Sequence, residues 1–157
     1  MEDHMRPDTL TEISRLTNIR PGKRVVFTNG CFDILHVGHV RYLEEAKKLG
    51  DLLVIGLNSD SSTKLLKGPE RPVVSELERR EVLSSLRSVD AVLIFDEQTP
   101  LDLIKAVKPE VLVKGGDWPI EKIVGSEFVI ASGGEVRSLS FYPGHSSTSI
   151  IEKVKSL

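Results

Sequence analysis

One stretch constrains this chain more than any other, the run from Val25 to His39. Val25-Val26-Phe27 is apolar without alternation, the pattern of a strand buried on both faces, and therefore of a parallel sheet. The run then passes a polar turn at Gly30 and ends in His36-Val37-Gly38-His39, where an amphipathic segment begins at Val40. Strand, loop and helix start follow within fifteen residues. In an open parallel sheet, ligands collect beyond the carboxyl ends of the strands, where free N–H groups at helix N-termini favour phosphate. Gly38 allows close approach to the backbone, and two imidazoles three residues apart add donors for phosphoryl oxygens. A bare His-x-x-His pair is more often two ordinary loop histidines, or two zinc ligands. Zinc is disfavoured because Cys31 is the lone cysteine and no other histidine lies nearby in sequence.

Four further strands are expected: Leu52 to Leu57, Ala91 to Phe95, Val111 to Val113 and Val136 to Phe141, the last alternating like an edge strand. Between them lie helical patterns. Val40, Leu43, Ala46 and Leu49 mark the inner side of the first, which Gly50 ends. Ser61 to Leu66 reads as a short helix. Ser75 with Glu78 opens a long one through Arg87, with Leu77, Val82, Leu83 and Leu86 inward. Thr99-Pro100 starts another, Pro100 taking a first-turn position, and Ser126 to Ala131 is a fifth. Alternation of this kind implies an α/β, doubly wound five-stranded parallel sheet with right-handed crossovers. Residues 1–23 read as an accessory helix and turn, with Thr9 and Glu12 at capping-box spacing, and residues 24–157 as a single domain.

Each strand exit carries polar residues. Asn58-Ser59-Asp60 follows the second strand and reads as a ligand contact or as an Asx turn with equal ease. Lys67-Gly68-Pro69-Glu70-Arg71-Pro72 is a loop with two cations, a cover for phosphates or a solvated connector. Arg79 and Arg80 sit early in their helix, where the dipole disfavours cations, which hints at use rather than stability. Lys114-Gly115-Gly116-Asp117-Trp118 is a second glycine-rich exit, or a tight turn with a packed indole. Ser146-Ser147-Thr148 supplies either helix caps or donors to phosphate.

Composition restricts the partners. At 157 residues with 28% charged residues and a net charge of −2, the chain lacks the basic excess of a general nucleic-acid binder. Neither a membrane-spanning run nor a signal-peptide core is present, and one cysteine permits no internal disulfide, so a cytoplasmic setting is expected.

The block Thr-x-Gly-x-Phe-Asp-x-x-His-x-Gly-His, Thr28 to His39, resembles the signature of the HxGH nucleotidylyltransferases, the cytidylyltransferase-like group, with their Rossmann-like fold. With Gly56 to Asp60, Lys67-Gly68 through Arg71-Pro72 and Leu112 to Asp117, the resemblance covers nearly everything after residue 23. Thr28-Asn29-Gly30 and Val113-Lys114-Gly115-Gly116-Asp117 are most similar to the adenylyltransferases of ADP-heptose synthesis. That resemblance implies ATP plus D-glycero-β-D-manno-heptose 1-phosphate giving ADP-heptose and pyrophosphate, with Mg2+ accompanying ATP and no protein side chain as a metal ligand. It also implies a separate heptose kinase upstream and a possible homodimer. His36, His39 and Lys67 would be catalytic, with Lys67 and Arg71 closing as a mobile arm. Thr28, Asn29, Gly30, Phe32, Gly38, Lys114, Gly115, Asp117, Ser146, Ser147 and Thr148 would bind the nucleotide. Asp33, Asn58, Asp60, Arg71 and Arg80 would serve the sugar phosphate, Asp33 by contact or by ordering the loop. The last motif departs from the family: Tyr142 to Thr148 lacks the usual arginine, leaving His145 or Arg80 as substitutes. The alternatives are a cytidylyltransferase acting on glycerol 3-phosphate or a similar alcohol phosphate, and a regulatory module that binds nucleotide without catalysis.

Overall fold

A computed structural model describes residues 4–157. Strands β1 (Val25–Gly30), β2 (Leu52–Asn58), β3 (Ala91–Phe95), β4 (Val111–Gly115) and β5 (Glu135–Leu139) form one sheet, order β3-β2-β1-β4-β5. All pairings are parallel, with Val25 opposite Leu52 and Val26 opposite Val111. The expected doubly wound sheet is therefore present. β1 lies at its centre, and the chain reverses direction across the sheet between β1 and β4. That is the switch point at which such sheets open a crevice.

Helices α1 (Pro7–Ile19), α2 (Val37–Lys47), α3 (Asp60–Lys67), α4 (Glu76–Ser84), α5 (Leu101–Val107), α6 (Ser126–Ala131) and α7 (Ser147–Lys155) complete the chain. Side chains of alternate strand residues feed two cores. On one face, Val25, Phe27, Val54 and Leu93 pack with Leu16 of α1, Leu103 and Ile104 of α5 and Val129 of α6. On the other, Val26, Leu53, Ile55 and Ile94 pack with Leu43 and Ala46 of α2 and Leu83 of α4. Burial of each large apolar side chain contributes about 1.5–3 kcal/mol before the entropy cost of folding, and it is the main force holding both layers to the sheet.

Several local expectations are corrected. Thr9 is not a cap: Arg6 precedes the helix, and Thr9 is buried inside α1 with its hydroxyl donating to the Ile94 carbonyl at 2.6 Å. Arg15 likewise donates to the Asp90 carbonyl. α1 thus covers outward carbonyls of edge strand β3, which protects an edge that would otherwise pair with another chain. The Ser75–Glu78 capping box forms, but α4 stops at Ser84, and Leu77 and Val82 face outward while Leu83 is buried. A nine-residue helix has one inward stripe, and Leu83 with Arg79 occupies it. Pro100 stands at the N-cap of α5 rather than in its first turn. Gly50 is more than a helix stop, since a Cβ there would lie 2.6 Å from the Arg24 carbonyl oxygen.

Arg79 corrects a larger expectation. Its side chain is fully buried and spends its donors on protein. Nε donates to the Val74 carbonyl, Nη1 to the carbonyls of Cys31 and Asn58, and Nη2 to the Asp60 carboxylate, at 2.6–2.8 Å. The cation early in α4 is there for stability: it ties the exits of β1 and β2 to the segment that returns into α4. Removing it strands these acceptors, each at a cost of about 1–3 kcal/mol. Arg79→Met is expected to lower unfolding free energy by about 3 kcal/mol or more in urea titration. A loss below about 1 kcal/mol would show that the guanidinium does not hold these loops.

Candidate active site

The β1 exit is shaped by a backbone conformation that side chains seldom adopt. Phe32 has φ of 45°, in the left-handed region, and remains 8% exposed. The turn swings its ring back over Gly30, where a Cβ would meet the ring at 2.9 Å. The same ring stands 5.2 Å from that of His39. Gly30 and Phe32 together floor the loop and dry one side of His39. An aromatic residue in the left-handed region costs of the order of 1–3 kcal/mol, a strain met most often beside functional groups.

Both histidines of the motif cap α2. His36 Nδ1 accepts from the Gly38 N–H at 3.1 Å, and His39 Nδ1 accepts from the His36 N–H at 3.4 Å, a reciprocal capping box made of imidazoles. The rings stack at 3.8 Å. Because Nδ1 is an acceptor in each, a neutral ring carries its proton on Nε2, which is left to donate outward. Burial, and then the neighbouring His36, pulls the His39 pKa down to about 4. Burial, and then His145, pulls His36 below the usual histidine value. At neutral pH these are two uncharged N–H donors on a helix N-terminus.

A second helix N-terminus meets them. Ser146 caps α7 by accepting from the Ser149 N–H at 3.0 Å. Ser147 is spent on the β1 loop, its hydroxyl donating to the Ile34 carbonyl at 2.9 Å and accepting from the Ile34 N–H at 3.3 Å. Thr148 is exposed in the first turn. The His145 ring lies 6.2 Å from that of His36, and a Cβ on Gly38 would come within 3.0 Å of His145 Cβ. Gly38 is therefore required for α2 and the α7 entrance to approach. Of the two substitutes for the absent arginine, His145 lies at the site. Arg80 does not: its guanidinium pairs with Asp8 on α1 at 2.6 Å.

Other expected residues fall into three groups. Asn29 and Lys114 are half-buried, at the exits of β1 and β4. Lys67 is exposed at the end of α3, and its charge is felt by Lys114. Burial first, then Lys67, lowers the Lys114 pKa against the opposing pull of Cys31. The Lys114 ammonium sits 5.9 Å from the Trp118 ring, and that indole is half-exposed rather than packed. Gly115 is covered by the Phe141 ring, and Asp117 is exposed beside it.

The remaining residues expected to face ligand are turned into the protein. Thr28 is fully buried, its hydroxyl 2.7 Å from that of Tyr42, whose pKa burial pushes up to about 12 against the lowering effect of that bond. Asn58 is buried and donates to the Ser62 hydroxyl at 2.9 Å. Asp60 pairs with Arg79. Asp33, with a side chain 1% exposed, accepts from Arg71 Nε at 2.6 Å and from the N–H groups of Val73 and Val74 at 2.9–3.0 Å. Burial alone would raise its pKa. The Val74 and Val73 N–H groups and Arg71 outweigh burial and hold it below the usual aspartate value. Arg71 is thus tied to the β1 loop and not to a free arm.

Sequence reasoning missed Tyr42, which looks like one more residue of a surface helix, and the Arg79 hub, whose acceptors are main-chain carbonyls with no spelling in the sequence. Chemically, the site gathers imidazole N–H donors, two helix N-termini, hydroxyls and lysines. Among the described residues neither motif histidine is hydrogen-bonded to a carboxylate, so no nucleophile–base relay is assembled. Such an arrangement is chemically suited to holding phosphates.

Residues 27–153 match the family model described as cytidylyltransferase-like. The chain is 52% identical over 160 residues to the bifunctional protein HldE of Geotalea uraniireducens, covering 97% of this chain and 33% of the relative. It is 55% identical over 147 residues to the bifunctional protein HldE of Campylobacter fetus, covering 94% and 31%. The chain therefore spans about a third of the length of these relatives. Among solved structures, the lipopolysaccharide core biosynthesis protein from Thermoplasma volcanium superposes with a TM-score of 0.63 at 31% identity, over 77% of this chain and 98% of that one. No described helix is long and apolar enough to cross a membrane. The chain belongs to the cytidylyltransferase-like family of nucleotidyltransferases.

Proposed function

We propose that the chain transfers the adenylyl group of ATP to a sugar 1-phosphate, D-glycero-β-D-manno-heptose 1-phosphate, giving ADP-heptose and pyrophosphate for the lipopolysaccharide core. The observation that carries the reading is the meeting of two helix N-termini, of α2 and α7, over the β1 exit, with Nε2–H of His36 and His39 aimed outward between them. The heptose assignment is supported by the identity to HldE proteins, by the likeness to the Thermoplasma lipopolysaccharide core biosynthesis protein and by the resemblance of Val113 to Asp117 to heptose adenylyltransferases.

In this reaction an oxygen of the sugar phosphate attacks the α-phosphorus of ATP. The new P–O–P bond forms as the bond from the α-phosphorus to the β-bridging oxygen breaks, and pyrophosphate carries away the electron pair. A phosphate monoester is already anionic at neutral pH, so no base is needed, and the protein's contribution is alignment and charge stabilisation. His36 and His39 donate to phosphate oxygens, the N–H groups at the start of α7 receive the leaving β- and γ-phosphates, and Lys67 and Lys114 supply positive charge. Asp33 is buried against Arg71 and two N–H groups, so a Mg2+ arriving with ATP would be held largely by phosphate oxygens and water. That cation supplies further neutralisation of the leaving pyrophosphate. The sugar 1-phosphate itself is the product of a sugar kinase reaction.

The deciding experiment measures pyrophosphate release for ATP and CTP against heptose 1-phosphate and glycerol 3-phosphate. ATP with heptose 1-phosphate is expected to be the fastest pair, and preference for CTP would transfer the chain to the alcohol-phosphate cytidylyltransferases. His36→Ala and His39→Ala are each expected to lower kcat by about 10²–10³-fold, as removal of a donor to the transition state does. Undiminished turnover in either would remove that histidine from the mechanism, and the same result in both would favour a binding module.

The low pKa of His39 also fixes a sign for stability against pH. The folded protein holds the ring neutral down to about 4, whereas the unfolded chain protonates it near its ordinary value of 6.5. The unfolded state therefore binds more protons between these values. The ring's contribution is complete above about pH 6.5 and is lost as pH falls towards 4. In urea titrations, His39→Gln should be destabilised relative to wild type at pH 7 and the gap should narrow at pH 4.5. A gap independent of pH would show that the ring is not held neutral. Asp33, with its lowered value, acts in a separate and more acidic window.

A further inference from the structure

The Asp33–Arg71 pair is built differently from an ion pair that merely closes a loop. Asp33 is spent entirely on protein donors: Arg71 Nε and the N–H groups of Val73 and Val74. With a side chain 1% exposed, it is closed to substrate. Arg71 is also largely enclosed, its side chain 16% exposed, yet it gives the carboxylate Nε alone. An arginine optimised for its carboxylate presents two parallel N–H bonds. Here neither terminal nitrogen of the fork finds an acceptor among the described residues, and neither is fully buried, so both keep contact with solvent. A guanidinium anchored through one edge with its other donors unspent is preorganised to receive an oxyanion.

The segment carrying it is fixed at several points. The Val73 and Val74 N–H groups are held by Asp33, and the Val74 carbonyl by Arg79. Swinging this segment as an arm would break the bonds at Val73 and Val74 and uncover a buried carboxylate. We propose that Asp33 is a positioning residue which locks Arg71 with its two free Nη groups directed at a phosphate of the bound substrates, so that residues 68–75 form a fixed wall of the site. The lowered Asp33 pKa accords with this, since the anchor stays charged well into acid. The proposal rests on the nucleotidyl-transfer reading in taking phosphates as ligands, but on no particular sugar or base.

The test uses Arg71→Ala, Arg71→Lys, Asp33→Asn and the double variant Asp33→Asn/Arg71→Ala, with each substrate varied in turn. Binding of inorganic phosphate to enzyme saturated with the α,β-methylene analogue of ATP is followed in parallel by calorimetry. Phosphate binding requires no turnover, so it reports on Arg71 even if ADP-heptose is not the product. Arg71→Ala is expected to raise one KM at least tenfold and the other less than threefold. A rise for the sugar phosphate with loss of inorganic phosphate binding identifies the acceptor phosphate. A rise for ATP with that binding retained identifies the nucleotide. Arg71→Lys should recover only part of the loss, because an ammonium cannot hold Asp33 and donate a fork together. Asp33→Asn should move the same KM, and the double variant should be no worse than Arg71→Ala, the non-additivity of two residues acting as one. If Asp33→Asn does not fold, Asp33→Glu, which keeps the charge and displaces the fork, carries the same comparison. Unchanged KM values and unchanged phosphate binding in folded Arg71→Ala would overturn the proposal, as would effects of Asp33 and Arg71 that multiply.

Discussion

The architecture of the site depends on one buried guanidinium. A parallel sheet presents its strand exits as separate loops, each with main-chain carbonyls that must find donors or remain in water. Arg79 joins the exits of β1 and β2 to the segment that enters α4 by giving its donors to Cys31, Asn58, Val74 and Asp60. The arrangement accounts for the position of the β1 loop, and through it for the left-handed turn at Phe32 and the entry into α2. Burying a cation is costly unless it is paired and hydrogen-bonded, and Arg79 is paired with Asp60 and also donates to three main-chain carbonyls. Asp33 is the complement on the neighbouring segment, a buried anion satisfied by an arginine and two N–H groups. Two opposite buried charges, each held by several protein partners, brace the same loop from either side.

This bracing separates structural charge from functional charge. Carboxylates near the β1 exit are neutralised within the protein, so they do not repel an incoming polyphosphate. The cations left outward are lysines and the unspent edge of Arg71, while the histidines offer uncharged donors. A site made wholly of fixed cations would bind triphosphate and pyrophosphate too tightly for release. Neutral Nε2–H groups at helix N-termini strengthen as charge develops and cost less to uncover afterwards.

Much of the fold was legible in sequence because its signals are local. Unalternating apolar runs announce buried parallel strands, and the run from Thr28 to His39 puts both histidines at the exit of the central strand. Side-chain spelling was a weaker guide to which polar groups face the ligand. Thr28, Asn58 and Asp33 sit where a ligand contact would sit, yet each bonds to a partner that no local pattern reveals: Tyr42, Ser62 and the backbone of Val73 and Val74. Arg79 and Arg80 are adjacent in sequence and opposite in fate, because successive helix residues point about 100° apart, one to the strand exits and the other to Asp8. His145, by contrast, gained a place when α7 proved to be docked on Ile34 through Ser147.

The double duty of the two histidines explains why this residue type is used for both tasks. Asparagine caps a helix as well as histidine does through its carbonyl oxygen, and lysine reaches phosphate as well through its ammonium. Neither does both from one rigid ring. An imidazole whose Nδ1 is fixed by a backbone N–H must carry its neutral proton on Nε2, across the ring from the cap, so formation of the helix and aiming of the donor are one event. Stacking at 3.8 Å keeps the pair from protonating together, since a charge on either opposes a charge on its neighbour.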